Sequence, residues 1–169
     1  MKTKNLIFLT FSIFLTFFSC NQLNSQIKIG KIQDGTPTLL IDEEGTKNIW
    51  EEFINGNSEL NLTFEEISIQ EDNSNYFLIA IDLNNKSVSK IGLELNNGHL
   101  YEARVNGGGY TITCSGCEST GPSSSNECVP EKEEGGIWYC SNCSAGTCKK
   151  TISTSSALIF SGDLHQLKK

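Results

Sequence analysis

Six cysteines carry the densest chemistry in this chain of 169 residues. They run Cys114-x2-Cys117-x10-Cys128-x11-Cys140-x2-Cys143-x4-Cys148, with a seventh, Cys20, far upstream. Thiols at these spacings have three uses. Paired as disulfides, they staple a segment too poor in apolar surface to hold itself together. As thiolates, Cys114, Cys117, Cys140 and Cys143 offer two CxxC doublets to one tetrahedral zinc ion, leaving Cys128 and Cys148 to pair. As a redox couple, Cys140 and Cys143 would exchange with a substrate disulfide.

Composition makes the disulfide framework the expectation. Between Cys114 and Cys148 the sizeable apolar residues are Val129, Ile137, Trp138 and Tyr139. Burial on that scale does not offset the entropy of ordering the segment, so cross-links must. The spacing does not choose the connectivity among Cys114, Cys117, Cys128, Cys140, Cys143 and Cys148. Zinc on the two CxxC doublets is the alternative, and otherwise no cofactor is expected. Redox activity is the second alternative. Trp138-Tyr139-Cys140-Ser141-Asn142-Cys143 resembles the WCxxC of thioredoxin-like proteins, but Tyr139 is inserted and no βαβ pattern surrounds it. Nearby acids also raise a thiol pKa where that chemistry needs it lowered.

The N-terminus predicts export. Lys2 and Lys4 precede an apolar run from Leu6 to Phe18. It is shorter than the roughly 20 residues that cross a bilayer, and reads as a signal peptide over residues 1–19. Phe17-Phe18-Ser19-Cys20 resembles the lipobox of bacterial lipoproteins, with Phe17 where leucine is usual. That resemblance implies cleavage before Cys20, lipidation of its thiol, and a tether over residues 20–25. Asn21 after the cysteine implies the outer membrane. The alternative is cleavage after Ser25, giving a soluble periplasmic or secreted protein. Two acyl chains hold a protein on a membrane where one barely does.

Charge and counting exclude several classes. The net charge is −7 and the pI about 4.8, which leaves no basic surface for nucleic acid. Without residues 1–19 the chain keeps 11 basic and 20 acidic residues, a net of −9. Ten acids lie between Asp42 and Asp72, with Lys47 the one base among them. They read as a solvated face. The two histidines, His99 and His165, supply neither a triad nor a histidine-rich metal site. No nucleophile elbow, HExxH, P-loop or dinucleotide fingerprint occurs. Adjacent carboxylates such as Glu65-Glu66 point to opposite faces of a strand and form no catalytic dyad. No catalytic residue is expected. The expected partners are a membrane, through the lipid, and a protein.

The elements that must carry these residues follow from periodicity. Ile49, Trp50, Phe53 and Ile54 share one helical face, with Thr46 as N-cap and Gly56 as stop. Gln26–Gln33 and Thr38–Ile41 read as strands across Asp34-Gly35. Leu62 to Ile69 alternates with a bulge at Glu65-Glu66, Tyr76–Ile81 is a dense apolar run, and Ile91 to Leu95 alternates into the Asn97-Gly98 turn. Residues 26–105 are therefore expected as an α+β body, one short helix on an antiparallel meander, cystatin-like in arrangement. Residues 106–169 are expected as a cysteine-rich, β-poor segment on or after it. Thr151–Ser155 and Ala157–Phe160 are its two short strands, and Trp138 and Tyr139 are an apolar plug under the cross-links.

Overall fold

Two-residue turns with left-handed backbone set most of the register. In the computed structural model, Asp34 and Gly35 (φ 52° and 78°) and Asn97 and Gly98 (φ 50° and 77°) close the two expected hairpins. This is the type I′ geometry that matches strand twist. Asn73-Ser74 closes a third without glycine (φ 49° and 63°). The structure describes residues 26–117, 128–133, 137–143 and 146–160. The signal peptide, Cys20, the tether and His165 lie outside these.

The elements in order are β1 (Lys28–Gln33), β2 (Thr36–Leu39), α1 (Glu43–Asn57), β3 (Glu66–Asp72), β4 (Asn75–Asp82), β5 (Ser87–Asn96), β6 (His99–Glu102), β7 (Tyr110–Cys117), β8 (Pro130–Lys132), β9 (Trp138–Cys140) and β10 (Gly146–Thr154). The fold is mixed α+β and rich in strand. Eight antiparallel strands form one sheet, ordered β10-β7-β5-β6-β1-β2, with β4 also on β5 and β3 on β4. The long β5 organises it. One edge pairs with β4 from Ser87 to Leu93. The other edge is shared, β7 taking Ser87 to Lys90 and β6 taking Leu93 to Asn96. The sheet curls until β3 approaches β1 and β2: a Cβ on Gly30 would lie 2.4 Å from Ile69 Cδ1. Only glycine lets that side chain seat there.

Both faces of the middle strands are covered, which explains the unbroken apolar run in β4. Leu78 and Ala80 face inward with Ile91, Leu93, Ile67, Leu100 and Ile29, against Trp50 and Ile54 of α1. Phe77 and Ile79 face outward with Val88, beneath Trp138 and Val129.

Three local expectations are corrected. The helix cap is Asp42, not Thr46: Gly45 N–H donates to Asp42 Oδ2 at 2.8 Å, while Thr46 is buried and donates to Asp42 O at 2.6 Å. The helix also runs through Gly56 to end at Asn57. Second, Leu62 and Phe64 are core residues but precede the strand. Their main-chain N–H groups donate to Asn55 Oδ1 and Glu51 Oε1 of the helix, and Thr63 N–H donates to Asp82 Oδ2. The segment is held by side chains, so β3 starts at Glu66. Third, Ala157–Phe160 is a turn whose Phe160 enters the core, not a strand.

The cysteine-rich segment is not β-poor. β7 and β10 extend the main sheet, from Thr154↔Tyr110 to Gly146↔Cys117 and from Ser87↔Ser115 to Lys90↔Ile112. Their inward faces are hydroxyl-bearing, which is why apolar counting passed over them. Thr111, Thr113, Ser89 and Ser153 are all buried. Ser89 and Thr113 share a hydrogen bond of 2.7 Å, and Trp50 Nε1–H donates to Thr111 Oγ1 at 3.1 Å.

Candidate functional site

The outward face of β7, the small β8–β9 sheet with its flanking residues, and Cys148 of β10 together hold all six clustered cysteines. Alternation along β7 sends Ile112 and Cys114 outward, with Cys117 at the strand end. The β8–β9 hairpin pairs Pro130↔Cys140, Glu131↔Tyr139 and Lys132↔Trp138. It lies over the sheet through Trp138. The indole meets Phe77 edge-on at 5.5 Å and Tyr110 at 6.4 Å, and Lys132 Nζ sits 5.7 Å from its centroid. Lys150 Nζ of β10 donates to Trp138 O at 3.1 Å. Tyr139 is the more exposed of the expected plug pair; its hydroxyl donates to Glu131 Oε2 at 2.5 Å, and that bond raises the phenol pKa. Lys90 lies 5.6 Å from the Phe77 ring centroid, and burial lowers its pKa.

The disulfides are Cys114–Cys140, Cys117–Cys143 and Cys128–Cys148, with Cα separations of 5.8, 5.6 and 5.4 Å. The two CxxC doublets are therefore laid side by side and joined rung by rung, β7 to β9. The third bridge ties the entry to β8 to β10. Cys140 and Cys143 are not bonded to each other, so the thioredoxin-like doublet does not close on itself. The expected zinc set is spread over two parallel disulfides. The tighter sulfur group is a different one, Cys117, Cys128, Cys143 and Cys148, whose Sγ atoms all lie within 4.8 Å of one another. Cys148 also belongs to a second group with Cys114 and Cys140. Each bridge has one buried cysteine (Cys114, Cys117, Cys128) and one half-buried (Cys140, Cys143, Cys148).

Asp42, Glu51 and Glu65 of the acidic stretch, and Asp82 beyond it, accept from main-chain N–H groups. Asp82, fully buried, accepts from Thr63 N–H, Asn85 N–H and the Asn85 side-chain amide. Glu65 accepts from Leu83 N–H and the Asn84 amide, while Glu66 is exposed on β3. His99 starts β6, half-buried, with Nδ1 3.2 Å from Asn97 O.

Glu102, like Asp82, is a buried acid that the sequence pattern did not single out. It is 2% exposed, and its two oxygens accept from Ile159 N–H and Phe160 N–H, both at 2.9 Å. The signal was phase: Leu100 faces inward, so Glu102 two residues on must as well. The carboxylate holds the segment after β10 against the sheet. Gly108 and Gly109 let that segment approach, since a Cβ on Gly108 would stand 1.8 Å from Ser155 O. Gly108 and Gly109 are thus a packing surface, while Gly107 supplies a left-handed turn (φ 88°).

Burial raises the Glu102 pKa above its ordinary value; the two backbone donors and Arg104 oppose the shift. A raised carboxyl pKa contributes stability that is fully present below the unfolded value and is lost as pH rises through the folded one. Urea midpoints measured across mildly acidic pH should therefore fall with rising pH in that window. Glu102→Gln should flatten this step and cost stability throughout, since an amide offers one acceptor oxygen to two N–H donors. An unchanged pH slope in the variant would remove Glu102 as its source.

Together these features define a disulfide-stabilised α+β module. No family model matches this chain, and neither a curated protein nor a solved structure matches it.

Proposed function

We propose that the chain is a bacterial envelope lipoprotein, lipidated at Cys20 and placed on the outer membrane. In this reading the module beyond the tether is a non-enzymatic binding or structural unit facing a protein partner. The observation that carries it is the cysteine pairing. The six downstream cysteines bond among themselves, so of the chain's seven none is left for Cys20. An odd cysteine directly after a signal peptide is thus left free, as lipidation at the lipobox-like Phe17-Phe18-Ser19-Cys20 requires. Three bridges are also the stabilisation that an oxidising export compartment permits. For a partner, the sheet offers the outer edge of β10, nine residues on which no strand pairs among the described residues. In this reading α1 with β3 to β6 forms a cystatin-like helix and meander.

Cys20→Ala tests the anchor. The variant should leave the membrane fraction almost entirely and keep the cooperative unfolding of the module, because the lipid is the membrane contact. Retention of the variant on membranes after a high-salt wash would sink the reading.

A further inference from the structure

The four-sulfur group joins two disulfides that the sequence spacing kept apart. Cys117–Cys143 lies against Cys128–Cys148, every Sγ within 4.8 Å of the other three. We propose that, once these two bridges are reduced, Cys117, Cys128, Cys143 and Cys148 form a tetrathiolate site for a thiophilic divalent cation of the zinc class, with Cys114 and Cys140 outside it. A tetrahedral ion with metal–sulfur bonds of about 2.3 Å sets its sulfurs about 3.8 Å apart. Sulfurs within each pair must separate to that distance, and those of different pairs must draw in from at most 4.8 Å. Measured from the oxidised arrangement both shifts are small, and binding of the cation would draw the reduced β8–β9 layer back onto the sheet.

The backbone supports this set over the two CxxC doublets. Cys117 and Cys148 are held beside each other by the β7–β10 pairing, where the register shifts between Gly146 and Lys149. That irregular stretch carries Cys148, two residues from Lys150, which pairs with the outward-facing Cys114. Cys128 adopts a left-handed backbone (φ 54°), a conformation rare for a side chain of this kind and concentrated at built sites. Cys117 and Cys128 are buried, which shields half of the ligand set, while Cys143 and Cys148 are half-buried and give access. Lys150, two residues from Cys148 on the same face of β10, places positive charge on the side of the sheet where the site's net charge would be negative.

The chemistry balances with a dithiol as reductant. Each protein disulfide accepts two electrons and two protons, and one dithiol becomes a cyclic disulfide. The four thiols then lose four protons as the cation binds. The site exists only in the reduced chain, so the cation and the two bridges exclude each other.

The experiment uses the full chain, reduced with excess dithiol, desalted anaerobically and titrated with Co2+. The reduced chain should take one equivalent and develop the visible and charge-transfer bands of tetrahedral thiolate cobalt; the oxidised chain should take none. Cys128→Ser/Cys148→Ser should lose the bands, and Cys114→Ser/Cys140→Ser should keep them. Alkylation of the Zn2+-loaded wild-type chain, mapped by mass spectrometry, reads the ligands without any variant. Protection of Cys117, Cys128, Cys143 and Cys148 is the expected result. Protection of any other set, Cys114 and Cys140 included, or the absence of cobalt bands overturns the proposal. Either failure leaves the lipoprotein reading standing, since that concerns Cys20 and the oxidised module.

Discussion

Reducing all three disulfides should release the β8–β9 layer while the core around Trp50 stays closed. The loops closed span 26, 26 and 20 residues. In the chain-entropy model each is worth roughly 3–3.5 kcal/mol, and the loops overlap, so the total is less than the sum. Besides the bridges the layer has two small clusters, Ile112 with cysteines backed by Tyr110 and Trp138, and Phe77, Ile79 and Val88 under Val129 and Trp138. The inner cluster contains no cysteine. β7 keeps its ladder to β5, and β10 its ladder to β7, without the bridges, so the loss should fall on β8, β9 and the outer face of Phe77, Ile79 and Val88. The two tryptophans separate these outcomes. In Trp50→Phe protein, emission from Trp138 should shift to the red on reduction. In Trp138→Phe protein, emission from the fully buried Trp50 should not move. A parallel shift of Trp50 would show that the staples hold the inner core as well. Chelator without reductant should move neither.

That separation was partly legible in the residues. The hairpins at Asp34-Gly35 and Asn97-Gly98, the aromatic face of α1 and the alternation of β5 are short-range features, and short-range physics predicts them. The pairing of β7 with β5 is not local. It turns on Thr111, Thr113 and Ser89, whose hydroxyls find partners only when the strands are already side by side. Read alone, they look like solvent-facing residues. Asp42 displaced Thr46 as cap for a similar reason: Thr46 is buried between helix and sheet, which no local pattern reveals. The disulfide layer was legible as a need, from too few apolar side chains, but its rung-by-rung connectivity required the positions of β7, β9 and β10. Glu102 lies between these cases. The phase of β6 points it inward, while the two N–H groups that make its burial tolerable come from residues more than fifty positions on.

Trp50→Ala should be the most damaging single change in the inner core. The ring is fully buried, 5.3 Å from Phe64 and 6.1 Å edge-on to Phe160. Those neighbours come from the segment ahead of β3 and from the segment after β10, so one side chain joins the helix to two segments far apart in sequence. Deleting a buried aromatic removes its transfer energy and leaves a cavity that neighbours fill only in part, about 3–5 kcal/mol. The indole N–H also donates to Thr111 Oγ1, whose own hydroxyl donates to Lys90 O at 3.2 Å. Trp50→Phe separates the two contributions. It keeps most of the aromatic contact and removes the donor, so its cost should include the hydrogen-bond term of about 1 kcal/mol. Urea unfolding followed by far-UV circular dichroism reads both variants without relying on tryptophan emission. Trp50→Ala with an unchanged midpoint would mean that the helix face does not seal the sheet. A Trp50→Phe cost equal to that of Trp50→Ala would put the stabilisation in the Thr111 bond and not in the ring. The expected order, a small loss for phenylalanine and a large one for alanine, places it in the packing that Phe64 and Phe160 complete.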